Sequence, residues 1–301
     1  MTVQSKLPAT ETISARYADL DAWPAEEMLA AMLEAQMAAV AAVRPALPAI
    51  GAAVEAAAVR LMGPGRLVYV GAGTSGRIGV QDGAELPPTF DWPQERLLLL
   101  MAGGDVAFTR SVENAEDDAA AAIAAVAAHD VGAGDVVIGL AASGSTPFTT
   151  AAIVAARARG ALTIGLSNSA GGALLAAAEH ALLVETGAEA IAGSTRMKAG
   201  TAQKVVLNLI SSTVMVLLGR VHRGLMVDMQ AKNAKLRLRA VRMVRALTGC
   251  TDAAAGAALA ESGGWVKLAV LVVEGMTAAA GRAALARAGG RLRQVLQERS
   301  A

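Results

Sequence analysis

Five short apolar runs, separated by segments of helical character, constrain the fold of this 301-residue chain more than any other feature. They are residues 66–70 (RLVYV), 96–102 (RLLLLMA), 135–142 (DVVIGLAA), 161–167 (ALTIGLS) and 181–185 (ALLVE). None alternates polar with apolar, which is the pattern of a strand buried on both faces in a parallel sheet. Residues 109–128, 147–159 and 171–178 between them read as helices. Strand and helix in repeated alternation, with short joints, is the signature of an α/β, doubly wound parallel sheet. The pattern predicts five parallel strands between about residues 60 and 190, then a long helix over about 195–219.

The flanking regions are different in kind. From Pro24 to Met62 the chain is rich in Ala, Leu and Met and reads as helices broken near Pro45 and Pro48. This N-terminal helical segment, 1–62, is expected to pack on a ligand-binding domain of residues 63–245. Beyond it, three short Ala/Leu-rich segments with breaks at Gly249, Gly263, Gly264, Gly275, Gly289 and Gly290 predict a small helical subdomain, 246–301.

Composition narrows the function. Apolar residues make up 54% and aromatics 3%, which favours closely packed Ala-rich helices. Twenty-seven basic against 26 acidic residues give a net charge of +1, so no broad positive field is present to attract nucleic acid or an anionic membrane. A single cysteine, Cys250, excludes an internal disulfide and a Cys-based zinc site. His129, His180 and His222 are scattered, without metal-ligand spacing. No metal and no organic cofactor is expected. The mean hydropathy is positive. However, the apolar stretches 119–128 and 205–218 fall short of the ~18 residues of a membrane span. The second is interrupted by Asn208, Ser211, Ser212 and Thr213. With no signal-peptide core at the N-terminus, the expectation is a soluble, cytoplasmic protein with no membrane partner.

In open α/β sheets, ligands bind beyond the carboxyl ends of the strands. The first strand is followed there by residues 71–77 (GAGTSGR), the third by 142–147 (ASGSTP). Glycine lets backbone N–H groups approach an anion, hydroxyls add donors, and a helix N-terminus adds partial positive charge. Gly73, Thr74, Ser75, Ser143, Gly144, Ser145 and Thr146 are therefore the candidate phosphate cradle. Gly71, Gly73 and Gly76 also spell the dinucleotide pattern GxGxxG, with Asp105 as a conceivable ribose partner. Asp105 lies farther from the motif than the usual ~20 residues, and the second hydroxyl-rich loop favours a smaller phosphate ligand. Two groups of carboxylates accompany the loops. Glu85 stands beside Leu86, Pro87 and Pro88, surroundings apolar enough to raise its pKa by desolvation. Glu113 and Glu116 lie in 111–118 (SVENAEDD), on the predicted helix at the same sheet edge, sharing a face at i, i+3. Ser194, Thr195, Arg196 and Lys198, opening the long helix, add a further polar wall.

These segments, GAGTSGRIGVQDGAELPPTF, SVENAEDD, AASGSTPF, GSTRMKAGTAQKVVLN and LMVDMQAKNAKL, resemble in order and spacing the N-acetylmuramic acid 6-phosphate etherase family, of the sugar isomerase (SIS) fold. The resemblance runs from about Thr10 to the C-terminus. It implies a homodimeric lyase of peptidoglycan recycling. Such an enzyme removes the D-lactyl ether of its sugar phosphate by elimination and water addition. It implies catalytic roles for Glu85 and Glu116, with Glu113 on sugar hydroxyls, and substrate contacts from Ser194 and Lys198. Three positions depart from the family pattern: Ser145 where many members have a basic residue, Gly224 where Asn is usual, and a loop after the fourth strand lacking a common Pro. An aldose–ketose isomerase and a non-catalytic sugar-phosphate sensor of the same fold are the rival readings; the pair Glu85 and Glu116 argues for catalysis, and the lack of a basic stripe against a DNA-binding regulator.

Overall fold

A computed structural model describes residues 7–229 and 234–300. The first six residues and the QAKN portion of the LMVDMQAKNAKL segment lie outside the described residues. In chain order, helices α1 (Ala25–Ala41) and α2 (Leu47–Leu61) precede strand β1 (Leu67–Gly71). Then come α3 (Gly73–Ala84), the short α4 (Leu86–Phe90) and β2 (Leu97–Met101). α5 (Ala119–Ala128), β3 (Val136–Ala141), α6 (Pro147–Ala158) and β4 (Leu162–Ser167) follow. α7 (Ala173–Ala177), β5 (His180–Leu183) and α8 (Lys198–Leu217) complete the alternation. A hairpin of β6 (Val221–His222) and β7 (Leu225–Met226) leads to α9 (Ala234–Thr248). The chain ends in α10 (Asp252–Glu261), α11 (Val266–Val273), α12 (Ala278–Arg287) and α13 (Leu292–Ser300). Two compact units divide these elements: the chain up to Gly83 with Glu95–Ser211, and Ala84–Gln94 with the chain from Ser212 onward.

The first unit holds the five-stranded sheet, all parallel, in the order β2-β1-β3-β4-β5. The strand order reverses between β1 and β3, and this is where a doubly wound sheet leaves a crevice for ligands. β1, β3 and β4 are buried along their whole length, as their unbroken apolar sequences require. One face packs against α5, α6 and α7 through Ala122, Val126, Phe148, Ile153 and Leu174, and α2 packs on β3, β4 and β5. Small side chains let these layers approach closely: a Cβ at Gly139 would lie 2.7 Å from Ile153, and one at Gly165 would lie 2.9 Å from Ala178.

Two helical stretches, Ala25–Leu61 and Lys198–Leu217, are by length and composition apolar enough to cross a membrane, with mean hydropathies of 1.6 and 1.2. The sequence reading, which weighed only 119–128 and 205–218, missed the first. In α2 the apolar residues Ala53, Val54, Ala57 and Leu61 are buried in the protein, and α8 buries Val206, Leu207 and Ile210. The outer face of α1 is different: Leu29, Leu33, Met37 and Val40 are 69, 63, 66 and 46% exposed.

In the second unit the C-terminal region consists of α10 to α13, four helices where three segments were expected. The glycine breaks do fall between them. Their core gathers Val227, Met229, Met243, Val244, Leu259, Val270, Leu271 and Val295. The hairpin turn has Arg223 and Gly224 at φ of +48° and +76°. Left-handed residues at both central positions are what a two-residue hairpin loop demands, and Gly and Asn are the residues that supply them. Gly224 in place of Asn therefore keeps the turn.

Candidate functional site at the carboxyl edge of the sheet

β2, β1 and β3 end side by side, with Gly71 registered against Met101 and Leu140. The chain after each strand therefore emerges at one edge. After β1 it turns at once into α3, and the turn depends on two glycines in van der Waals contact. A Cβ at Gly71 would sit 2.7 Å from the Gly76 Cα, and one at Gly76 would sit 2.8 Å from the Gly71 carbonyl. The GxGxxG pattern is thus explained by a close strand-to-helix turn. It leaves Thr74 half-buried and Ser75 buried in the first turn of α3, beside amides that have no helical partner.

α3 is anchored from behind. The buried Asp82 accepts hydrogen bonds from the Tyr69 hydroxyl on β1 (2.8 Å) and from Asn208 Nδ2 on α8 (2.6 Å). Burial, and then the charge and hydrogen bond of Asp82, push the Tyr69 phenol well above its ordinary range. The sequence reading did not single out this triad, whose members are too far apart in the chain to form a local motif.

After β3, the Ser143 hydroxyl accepts from the Ser145 N–H at 3.2 Å, and Thr146 with Pro147 opens α6. Gly144 adopts φ +72° where a Cβ would strike Ser167 Oγ at 2.5 Å, and its carbonyl accepts from Leu174 N at 2.9 Å. The loop is so locked onto the one after β4, while Ser145 remains exposed and Ser143 and Thr146 half-exposed.

After β2 the expectation fails in detail. Residues 109–118 are not the start of a helix. Asn114 stands at φ +58°, Ala115–Asp117 is one 3₁₀ turn, and α5 begins only at Ala119, where Asp118 Oδ1 caps Ala121 N at 2.8 Å. Glu113 and Glu116 therefore project from a turn rather than from one helix face. Both still line a single cavity of about 350 Å³. Its other walls include Gly73 and Thr74 at the start of α3, Met101 and Ala102 at the end of β2, and the two arginines Arg77 and Arg110. Arg77 braces this wall: its Nε donates to the Ala107 carbonyl at 3.0 Å and Nη2 to that of Arg110 at 3.1 Å. Neither arginine was picked out from the sequence.

The wall before α8 is also present, with a different inner logic. Helix α8 starts at Lys198, so Ser194, Thr195 and Arg196 belong to the turns before it. Glu189, buried to 1% exposure, caps the helix: its carboxylate accepts from Lys198 N at 2.8 Å and Ala199 N at 2.9 Å. The Lys198 ammonium donates to the Ala188 carbonyl at 2.9 Å. Burial lowers its pKa, and the charge of Glu189 opposes that. Gly200 in the first turn lies against Thr74, whose Cγ2 would be 3.6 Å from an added Cβ.

Glu85 belongs to the second unit, where it immediately precedes α4 and is exposed. The apolar enclosure expected from Leu86, Pro87 and Pro88 is not formed, since Leu86 turns into the core and Glu85 does not. The segment is fixed all the same. Arg220 donates to the carbonyls of Phe90 (2.7 Å) and Asp91 (2.9 Å), and its guanidinium lies 5.1 Å from the centre of the buried Trp92 ring.

Residues 50–157 match the Glucokinase regulatory protein N-terminal SIS domain family, and residues 113–212 match the SIS domain family. Among curated proteins, the chain is 51% identical to the N-acetylmuramic acid 6-phosphate etherase of Deinococcus radiodurans, over 88% of this chain and 87% of that one. It is 46% identical to the enzyme of the same name from Streptomyces avermitilis, over 88% and 85% of the two chains. For that of Symbiobacterium thermophilum the identity is 51% over 77% of each.

Proposed function

The chain belongs to the N-acetylmuramic acid 6-phosphate etherase family, and on that premise we propose how its residues carry out the reaction. It is a carbon–oxygen lyase of peptidoglycan amino-sugar recycling. It converts N-acetylmuramic acid 6-phosphate and water to N-acetylglucosamine 6-phosphate and D-lactate. The observation that best supports this reading is the cavity that sets Thr74 of the phosphate loop on the same wall system as Glu113 and Glu116.

The chemistry dictates what the residues must do. The proton on sugar carbon 2 is acidic only beside a carbon 1 aldehyde, so the reacting species is the open-chain sugar. A base removes that proton, the electrons form a double bond between carbons 2 and 3, and the carbon 3–oxygen bond breaks. The departing lactate oxygen needs a proton from an acid. Water then adds at carbon 3, and carbon 2 regains a proton. Well-placed acids and bases each contribute on the order of 10²–10⁴ in rate.

Glu116, exposed in the cavity wall, is assigned as the base at carbon 2. Glu85 is assigned as the acid that protonates lactate and then activates water. Being exposed in the free chain, it needs bound substrate to exclude water from it. Glu113 is assigned to sugar hydroxyls. The phosphate rests on Gly73, Thr74, Ser75, Ser143, Gly144, Ser145 and Thr146, with Ser194 and Lys198 as further substrate contacts. Hydroxyls and helix-start amides replace the basic residue that Ser145 displaces.

A second copy of the chain is the natural cover for the exposed α1 stripe of Leu29, Leu33, Met37 and Val40, which supports a homodimer. Light scattering on the purified protein should give twice the chain mass. A charged, phosphorylated substrate is retained inside cells, which supports a cytoplasmic site of action. The decisive assay supplies N-acetylmuramic acid 6-phosphate and reads D-lactate with a coupled dehydrogenase. Release is expected, and none from the unphosphorylated sugar; equal release from both would remove the phosphate loops from the reading.

A further inference from the structure

The substrate carries two anions, the phosphate and the carboxylate of the lactyl group, and only one of them has been given a partner. The sugar product keeps the phosphate, so the phosphate loops cannot distinguish substrate from product. The lactyl carboxylate must come close to the glutamates that cleave its ether, and an unneutralised carboxylate beside Glu113 and Glu116 is repelled. Two cations line the cavity with them, Arg77 and Arg110. Arg77 is engaged with the Ala107 and Arg110 carbonyls, and in that way it fixes the backbone at Arg110. The Arg110 side chain is exposed and has no hydrogen bond or ion pair among the described residues, although Glu113 is only three residues away. A guanidinium offers two parallel N–H donors that match a carboxylate.

We propose that Arg110 binds the lactyl carboxylate of the substrate and is the residue by which the enzyme tells substrate from product; the proposal rests on the etherase reading. Arg110 holds the carboxylate while the ether oxygen takes up its proton, and it still holds it when lactate is the leaving fragment. D-Lactate alone should therefore act as a weak product inhibitor through the same contact.

The test compares the wild-type chain with Arg110→Ala and Arg110→Lys on N-acetylmuramic acid 6-phosphate and on its analogue with the lactyl carboxylate converted to the amide. Wild type is expected to favour the acid in kcat/KM by about 10- to 100-fold, the range of a hydrogen-bonded charge contact. Arg110→Ala should lose most of this preference by losing rate on the acid, with the amide little changed. Arg110→Lys should restore part of it, and inhibition by D-lactate should weaken in the alanine variant. An unchanged acid-to-amide ratio in Arg110→Ala overturns the assignment. Should that variant fail to fold, wild type alone still decides, because absence of an acid preference overturns it equally. If wild type releases no product from either compound, the etherase reading itself has failed and this assignment falls with it.

Discussion

The two ends of the same sheet treat their polar groups in opposite ways. At the amino ends of the strands, arginines are spent on structure. Arg66 makes a two-pronged contact with Asp135, through Nε at 3.1 Å and Nη2 at 2.7 Å, and also reaches the carbonyls of His129 and Asp130. Arg96 donates to the carbonyls of Leu61, Gly63 and Gly65, and Arg60 and Arg159 make similar contacts. At the carboxyl ends, the side chains of Thr74, Arg110, Glu113 and Glu116 make no hydrogen bond or ion pair among the described residues. Exposed polar groups hydrated by water add little to stability, and in the proposed reading this leaves them free to meet the substrate. The difference separates a stability edge from a chemistry edge, and mutations at each should have opposite signatures.

The largest effect is expected at the chemistry edge. Glu116→Gln should lower kcat by about 10²–10⁴, with the melting temperature almost unchanged, because the exposed carboxylate makes no hydrogen bond or ion pair among the described residues. Glu85→Gln should lose lactate release to a similar extent. Deuterium exchange at carbon 2 divides the two roles: the Glu85 variant should still exchange and the Glu116 variant should not. Exchange lost in the Glu85 variant and kept in the Glu116 variant would reverse the assignments.

Asp135→Asn should do the reverse. Its carboxylate also accepts from the backbone N–H groups of Arg66 (2.9 Å) and Gly132 (3.0 Å). Loss of the charge should cost about 2 kcal/mol of stability by denaturant unfolding, given that Arg66 is partly solvated, with kcat per folded molecule unaltered. Burial raises the pKa of Asp135, but the hydrogen bonds from Arg66 and Gly132 outweigh it and hold the group below its ordinary value of 3.8. A carboxylate with a folded pKa below its unfolded one stabilises the fold above the unfolded value, and that contribution is lost as pH falls through the folded value. Wild type should therefore lose this contribution below about pH 4, and Asp135→Asn should show a shallower acid decline. Parallel acid titrations of the two proteins would refute the pairing's role.

The sheet was legible in the sequence because burial on both faces forces unbroken apolar runs: β2, β3 and β4 fall inside the runs read from it, while β1 runs on one residue to Gly71 and β5 starts one residue early at His180. The glycine-rich turns after β1 and β3 were legible for a related reason: Gly71, Gly76 and Gly144 stand where a Cβ has no room. The shape of the 109–118 wall was not, because Ala-rich sequence continues into α5 and masks where the helix starts. Asn114 and Asp118 were the available signals, one a residue tolerant of left-handed backbone and the other a good N-cap. Arg77, Arg110, Glu189 and the Tyr69–Asp82–Asn208 triad were illegible for a different reason. Their meaning depends on partners brought near only by the fold, and an arginine that braces carbonyls looks in sequence like one left free.

The smallest effect probes whether the two edges are as separate as their hydrogen bonds indicate. Ser143, proposed as a phosphate contact, accepts the Ser145 N–H at 3.2 Å, so it would belong to the chemistry edge with one structural bond of its own. Ser143→Ala should raise KM for the phosphorylated substrate by roughly 3- to 10-fold, the worth of one hydrogen bond, and leave kcat nearly constant. Because the donor freed at Ser145 is exposed to water, the cost in stability should stay below about 0.5 kcal/mol. A KM that does not move would take the phosphate off this loop. A large loss of stability would show instead that the loop after β3 serves the fold as the amino-edge arginines do, and the division between the edges would hold only for the loops after β1 and β2.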